Sequence, residues 1–350
     1  MLDFDKITVC VDMAGCPNRC RHCWLGVTDN KGVSIEQLRK MANDFREQAK
    51  HFEILSWYRE PDFRGDYQSL WELEKQLSTE KTPHFELASF WRLVRDDTYV
   101  KWLYERNVRK IQLTLFGDED TTDYYVGRKG AYQEIIKAID IILRNKIVPR
   151  IQIFVNHSNL SKLPDIVKVC NDLELEQRCK FLGQKFELFL HAGSCDGENE
   201  KLYNIRIESG DLSKIPDYIV RHTMDYFNKY SIEEVFGFSE KYLCSEFKDW
   251  DKFFYEKSNS PVFYVDSNLN VYPNVTSPYP WWKIGNLMIH DCEIILKRYA
   301  ENDFFAAREM GAKKFKDILD EYGNKDSDKL FGAGDYFYCM WNKYLRKKYC

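Results

Sequence analysis

Lys110-Ile111-Gln112-Leu113-Thr114-Leu115-Phe116, then a helical stretch from Ala131 to Asn145, then Pro149-Arg150-Ile151-Gln152-Ile153-Phe154-Val155, is the run that decides the fold. Its two ends read as strands and its middle as an amphipathic helix, which implies a parallel βαβ unit. The same alternation extends both ways. Upstream, Lys6 to Asp12 reads as a first strand, followed by a helix from about Ser34 to Lys50. Phe52 to Ser56 reads as a second strand, with a helix around Gln68 to Leu77, and His84 to Phe90 as a third, with a helix from about Asp97 to Asn107. Downstream, a helix from about Leu160 to Asp172 leads to a sixth strand, Lys185 to His191, and a helix around Ile215 to Tyr230. Six units predict an α/β architecture, a partial (β/α)6 TIM-like barrel over residues 1–235. In such sheets ligand chemistry sits at the C-terminal ends of the strands.

The alternation stops after Tyr230. Pro261 to Asp266 and Val271-Tyr272-Pro273, around the polar turn Ser267 to Asn270, predict a β-hairpin. Helices are expected around Cys292 to Asn302 and Arg308 to Glu321, so residues 236–350 are expected to form a smaller C-terminal α+β domain. A length of 350 residues, beyond the usual limit of one hydrophobic core, agrees with two parts.

Hydrophobic residues at 44% and charged residues at 30% are the balance of a soluble globular protein. A net charge of −4 gives no electrostatic reason to expect nucleic acid or an anionic membrane as partner. No apolar run approaches membrane-spanning length. The start, Met1-Leu2-Asp3-Phe4-Asp5-Lys6, lacks the basic and apolar regions of a signal peptide, so a cytoplasmic location is expected. The 11 cysteines are odd in number and unevenly spaced, which in a reducing compartment reads as packed thiols.

Three of them are too close together for that reading. Cys16-Pro17-Asn18-Arg19-Cys20-Arg21-His22-Cys23-Trp24 holds thiols separated by three and two residues. Thiolates are the usual ligands of iron–sulfur clusters. Three would hold three irons of a cubane and leave the fourth open to the amino and carboxylate groups of S-adenosylmethionine. Gly15 and Pro17 suit a loop wrapped closely round such a group. Structural zinc asks for four ligands, usually in two separated pairs, and His22 would have to bind beside its neighbour Cys23. A zinc-stabilised binding module is therefore the weaker alternative. A catalytic thiol needs one cysteine and a base, which leaves the spacing unexplained.

The spacing, with the aromatic Trp24 after it, resembles the radical SAM superfamily, and the resemblance extends over residues 6–290 or so. It is nearest to the branch whose barrel is followed by a SPASM or twitch domain. It implies a [4Fe-4S] cluster on Cys16, Cys20 and Cys23, S-adenosylmethionine as cofactor, and a 5′-deoxyadenosyl radical that abstracts hydrogen from substrate. Ser56-Trp57-Tyr58-Arg59-Glu60-Pro61 falls where the family has a Gly-Gly-Glu-Pro turn that holds the methionine amino group. Glu60 and Pro61 match, while Tyr58 and Arg59 replace the glycines. Glu60 is thus carried over as a cofactor contact, against the alternative of a solvated loop carboxylate. Thr114 is carried over as the strand residue pointing at the cofactor, or else is an ordinary β-branched strand residue. Arg128 is carried over as the bidentate partner of the methionine carboxylate, or else is a surface ion pair. Asn156, just past the fifth strand, is placed to reach the ribose.

The C-terminal region departs from the family. Its hairpin ends Tyr272-Pro273-Asn274 where the family has Tyr-Pro-Cys, although Ile284-Gly285-Asn286-Leu287 matches a family landmark. Cys244, Cys292, Cys339 and Cys350 have no closely spaced companions, so a degenerate domain without an auxiliary cluster is expected. Trp57, Tyr58, Trp91, Trp281 and Trp282 are candidates to line a pocket, with core packing as the default. Cys195 and His191 follow the sixth strand, where a thiol would be positioned to return hydrogen to a substrate radical, although buried cysteine is usually inert. No cobalamin-binding or leader-recognition segment precedes the barrel in this sequence. The expected partners are a small-molecule or peptide substrate and an electron donor such as flavodoxin or ferredoxin, with neither nucleic acid nor membrane. A radical-SAM-like protein that binds without turnover is the alternative that Tyr58, Arg59 and Asn274 raise.

Overall fold

Ile7, Val9, Cys10 and Val11 make a nearly unbroken apolar run, the pattern of a strand covered on both faces, and all four are fully buried. In the computed structural model this run belongs to β1 (Phe4–Val11). The structure describes residues 4–12, 15–23, 25–26, 30–55, 63–80, 88–191, 203–250, 257–274 and 277–350. β1 pairs in parallel with β2 (Ala49–Leu55) across the helix Ile35–Arg46, whose N-cap Ser34 and Gln37 form a reciprocal capping box. That helix ends short of the expected Lys50. Ala49 and His51 instead pair with Phe4 and Lys6, because the edge of β1 offers them ladder hydrogen bonds. Most of the expected third strand, residues 84–87, lies outside the described residues, and Phe90 opens a short helix, Phe90–Leu93.

A second parallel sheet joins β3 (Lys110–Leu115), β4 (Val148–Phe154) and β5 (Glu187–His191) in that order. Ile111, Leu113 and Leu115 alternate onto the outer face and pack with Ile135, Ile139 and Ile142 of the helix Ala131–Arg144. Gln112 and Thr114 take the other face, opposite Arg150 and Gln152. The helix Asp217–Phe227 lies along the far edge of β5, where Thr223 Oγ1 accepts the Leu190 N–H at 3.1 Å. The open edge is thus capped by a side chain. The result is an α/β partial barrel.

The C-terminal segment contributes β6 (Phe238–Ser239), β7 (Val262–Val265), β8 (Asn270–Pro273), β9 (Gly285–Asn286) and β10 (Leu330–Phe331). β7 joins the free edge of β1 in parallel, and β8 and β9 continue antiparallel, giving the sheet order β2-β1-β7-β8-β9. In the hairpin turn, Asp266 Oδ1 accepts the N–H groups of Asn268 and Asn270, each at 2.9 Å. The hairpin core is continuous with the barrel: Phe263 and Val265 share one buried cluster with Ile7, Val9 and Phe45, and with Phe315 and Trp341. Trp281 and Trp282 belong to this core. Both indole N–H groups donate to Asn342 Oδ1, at 3.0 and 2.8 Å, on the helix Ala333–Tyr349. The helix expected over Arg308 to Glu321 is two helices, Phe305–Ala312 and Phe315–Tyr322. Extended backbone at Lys313 and Lys314 separates them and lets Met310 and Phe315 both reach the core. No helix among the described residues is long and apolar enough to cross a membrane.

Candidate functional site

The cysteine loop is held in place by backbone contacts. Gly15 takes a left-handed conformation (φ +82°), which favours glycine, and the next N–H, of Cys16, donates to Asn30 Oδ1 at 3.1 Å. The Arg19 and Arg21 N–H groups donate to the carbonyls of Val126 and Tyr125, at 3.0 and 2.8 Å. These carbonyls belong to the last turn of the helix Glu119–Val126. Asp118 caps the start of that helix, and its hydrogen bonds to Lys162 and Thr121 hold its carboxyl pKa down to about 2. Gly127 ends it at φ +71°, the left-handed termination usual for helices. A Cβ at Gly127 would stand 2.3 Å from the Arg19 carbonyl oxygen, so only glycine lets the loop approach this closely.

Within the loop, Cys23 N–H donates to the Cys20 carbonyl at 3.1 Å and Gly26 N–H to the Cys23 carbonyl at 3.0 Å. The thiols of Cys16, Cys20 and Cys23 are all half-buried. Asn18 N–H donates to Cys16 Sγ at 3.4 Å, the kind of contact that tunes an iron–sulfur cluster. Cys20 packs against a small core of Phe116, Tyr125 and Phe154. The His22 ring lies on Phe116 and Phe154, with centroids 4.8 and 4.7 Å apart, and Phe154 stacks in turn on His191 at 5.8 Å. Phe116 follows β3, while Phe154 and His191 end β4 and β5. The loop therefore sits at the C-terminal ends of the strands. Burial pushes the His22 pKa down to about 3, so the ring is neutral, and its buried Nδ1 has no hydrogen-bond partner among the described residues. Among the described residues no three His, Cys, Asp or Glu side chains converge as one metal ion requires. A cubane asks for something else, since each thiolate holds a different iron. Three thiols on one glycine-shaped loop, one already accepting an N–H, fit that demand.

The other expected site residues are placed as follows. Glu60, with Trp57 and Tyr58, lies outside the described residues, as does Cys195. Thr114 Oγ1 donates to Gln152 Oε1 at 3.1 Å, within a polar row that also holds Gln112 and Arg150 on the inner face of the sheet. Arg128 donates from Nε to Asn18 Oδ1 at 3.0 Å and from Nη2 to Glu134 at 2.6 Å. Its Nη1 makes no hydrogen bond among the described residues. Asn156 is buried; its Oδ1 accepts from the Tyr125 hydroxyl at 3.1 Å and the Ser158 N–H at 2.9 Å, while its Nδ2 is left without an acceptor. The loop, Arg128 and Asn156 are thus brought together through Asn18 and Tyr125. Trp91 packs edge-on to Phe63 at 5.3 Å, with Arg95 over its ring.

Two contributors are absent from the sequence-level reading. Asn18 ties the loop to Arg128 across more than a hundred residues, and no local signal reveals that. Asn159 binds the carbonyls of Phe116 and Phe154, both at 2.8 Å, and accepts the Asn156 N–H at 2.8 Å. An Asn just past a strand, three residues after another, is a turn-capping pattern from which it could have been read. In the C-terminal part, Cys244, Cys292 and Cys339 are buried on three different helices. Cys244 Sγ lies 3.1 Å from the Tyr336 hydroxyl, and burial pushes the Cys244 and Cys292 thiol pKa values up.

The half-barrel carries the three-thiol loop at its strand ends, and the comparisons with known proteins bear on what such a loop serves. Residues 11–168 match the family described as the Radical SAM superfamily. This segment is thus similar to a radical SAM domain, the kind that works with a [4Fe-4S] cluster and S-adenosylmethionine. Native anSMEcpe with bound AdoMet is similar in fold over 98% of this chain and 97% of that chain, at 14% identity and a TM-score of 0.51. The same protein with bound AdoMet and the Cp18Cys peptide gives a TM-score of 0.53 over the same shares and at the same identity. Streptococcus suis SuiB bound to precursor peptide SuiA aligns with 85% of this chain and 65% of that chain, at 13% identity and a TM-score of 0.44. No curated protein matches the sequence.

Proposed function

We propose that Cys16, Cys20 and Cys23 are the cluster ligands, and that the enzyme cleaves S-adenosylmethionine reductively to abstract hydrogen from a peptide or small-molecule substrate. The observation that carries this reading is the docking of the cysteine loop, through Cys20 and His22 on Phe116 and Phe154, at the C-terminal ends of β3, β4 and β5. Held by Cys16, Cys20 and Cys23, a [4Fe-4S] cluster would supply the electron for reductive cleavage of the cofactor's S–C5′ bond. The chain's own part is to position the reactants. Arg128, braced by Asn18 and Glu134, presents Nη1 to the methionine carboxylate. Asn156 offers its unused Nδ2 donor to the ribose, and Thr114 and Glu60 complete the cofactor contacts. Residues 236–350 act as a cap held by apolar packing rather than by metal, and keep water from the radical. A peptide substrate is supported by the peptide bound to anSMEcpe, whose fold this chain shares from end to end. A flavodoxin or ferredoxin supplies the electron. Anaerobic incubation with reductant and S-adenosylmethionine, followed by mass spectrometry, should release 5′-deoxyadenosine. Its absence from iron-loaded protein would defeat this reading in favour of binding without turnover.

A further inference from the structure

The chain carries a net charge of −4, yet the two segments that meet at the cysteine loop are basic. Residues 15–26 and 124–130, joined by the hydrogen bonds of Arg19 and Arg21 to Val126 and Tyr125, contain four cations and no Asp or Glu. Arg128 is ion-paired with Glu134, which Arg95 shares. The other three, Arg19, Arg21 and Lys129, are exposed and make no ion pair among the described residues. The nearest carboxylate in sequence, Asp123, is occupied by the backbone N–H groups of Gly130 and Tyr132, at 2.5 and 2.8 Å. Two of the three cations are also held in place. Arg19 Nη1 donates to the carbonyls of Cys16 and Asn18 at 2.7 and 2.8 Å. Arg21 donates from Nε to the Tyr124 carbonyl at 3.1 Å, and its guanidinium lies 4.1 Å over the exposed Tyr124 ring. Fixed, unpaired cations on an acidic protein repel one another, and an anionic partner relieves that cost.

The loop has two sides. His22 turns inward onto the strand ends, where cofactor and substrate must meet, while Arg19 and Arg21 turn to solvent. A charged surface on the outer side, flanking Cys20 and within three residues of Cys16 and Cys23, suits delivery of electrons better than delivery of substrate. We propose that Arg19, Arg21, Lys129 and the Tyr124 ring form the docking surface for an acidic one-electron carrier protein. The inference rests on the assignment of the cluster to Cys16, Cys20 and Cys23. In the docked pair the carrier is oxidised by one electron and the cluster is reduced by one, with no bond made or broken.

The test uses the reconstituted full chain and compares reduction by purified flavodoxin, an acidic carrier, with reduction by dithionite, a small reductant that needs no docking surface. Arg21→Glu/Lys129→Glu should keep its iron and its dithionite-driven 5′-deoxyadenosine formation, but lose about 10-fold or more in flavodoxin-driven rate at low salt, the scale of electrostatic steering. The wild-type flavodoxin rate should fall as salt is raised, and the variant's should not. Lys129→Glu alone, at an exposed residue with no bonding partner among the described residues, should show the same loss in smaller measure if the double variant is poorly folded. Equal losses with both reductants would mean that these cations shape the cluster and would overturn the proposal, as would a flavodoxin rate untouched by either charge reversal or salt. Loss of iron from the wild type would instead defeat the cluster assignment itself.

Discussion

Gly127→Ala tests how the loop is held. At φ +71° a non-glycine residue costs about 1–2 kcal/mol. The added Cβ would also stand 2.3 Å from the Arg19 carbonyl oxygen and 2.9 Å from its carbon. Both obstacles are backbone atoms, so no side-chain rotation relieves them. The loop must retreat by about 1 Å to reach ordinary contact, a strain of the kind that costs about 1–3 kcal/mol in packed interiors. Retreat loosens the two N–H bonds from Arg19 and Arg21 to the helix end. The sum, about 2–5 kcal/mol, is a large part of the ~5–15 kcal/mol that keeps a domain folded. Urea unfolding of the apo-protein and iron analysis after anaerobic reconstitution read the two consequences, lower stability and impaired iron loading. Gly130→Ala is the control. Gly130 has φ +80° but open space where its Cβ would go, so it should cost only the conformational part and leave iron loading intact. If Gly127→Ala behaves like Gly130→Ala, the close approach of loop and helix is not what holds the cysteines.

Arg128→Ala should leave iron in place but weaken S-adenosylmethionine binding by roughly 10- to 150-fold, the worth of one charge-assisted hydrogen bond at about 1.5–3 kcal/mol; titration showing unchanged affinity would remove its role. Burial foremost, opposed by Asp335 and aided by Arg206, holds the pKa of the half-buried His191 below the usual value, so the folded state binds its proton less readily than the unfolded chain, which takes one up below about pH 6.5. Stability should therefore fall as pH drops below about 6.5, by at most about 1.4 kcal/mol per unit from this group, and denaturation of His191→Gln across that range should show a shallower slope; an unchanged slope would mean the ring is charged when folded. Replacing Cys244, Cys292, Cys339 and Cys350 together by Ser should leave iron content and cofactor cleavage nearly unchanged; a folded variant that lost iron would make the C-terminal part a metal site.

The parts of this structure that were legible in the sequence are those set by local pattern. β3, the helix Ala131–Arg144 and β4 follow from apolar periodicity alone. The cysteine loop follows from thiol spacing. Long-range contacts were not legible. Nothing near Val262 says that it will pair with Thr8 and extend the barrel's own sheet. Nothing near Leu190 says that its N–H will find a threonine on a helix in place of another strand. The helix Ala333–Tyr349 went unforeseen because Tyr336, Phe337, Met340, Trp341 and Leu345 are buried on several of its sides, which erases the single apolar stripe that marks a surface helix. At the site, the strand-end positions of Thr114 and Asn156 could be read from the chain. The Arg128–Asn18 contact joins distant segments and emerges only from the fold.

The most direct test of the central claim is a paired measurement on wild-type protein and the Cys16→Ala/Cys20→Ala/Cys23→Ala variant, reconstituted anaerobically, reduced and given S-adenosylmethionine. The wild type should bind about four irons per chain, as one cubane requires, and release 5′-deoxyadenosine. The variant should do neither while remaining folded. A [4Fe-4S] signal or 5′-deoxyadenosine from the triple variant would show that the chemistry lies elsewhere in the chain.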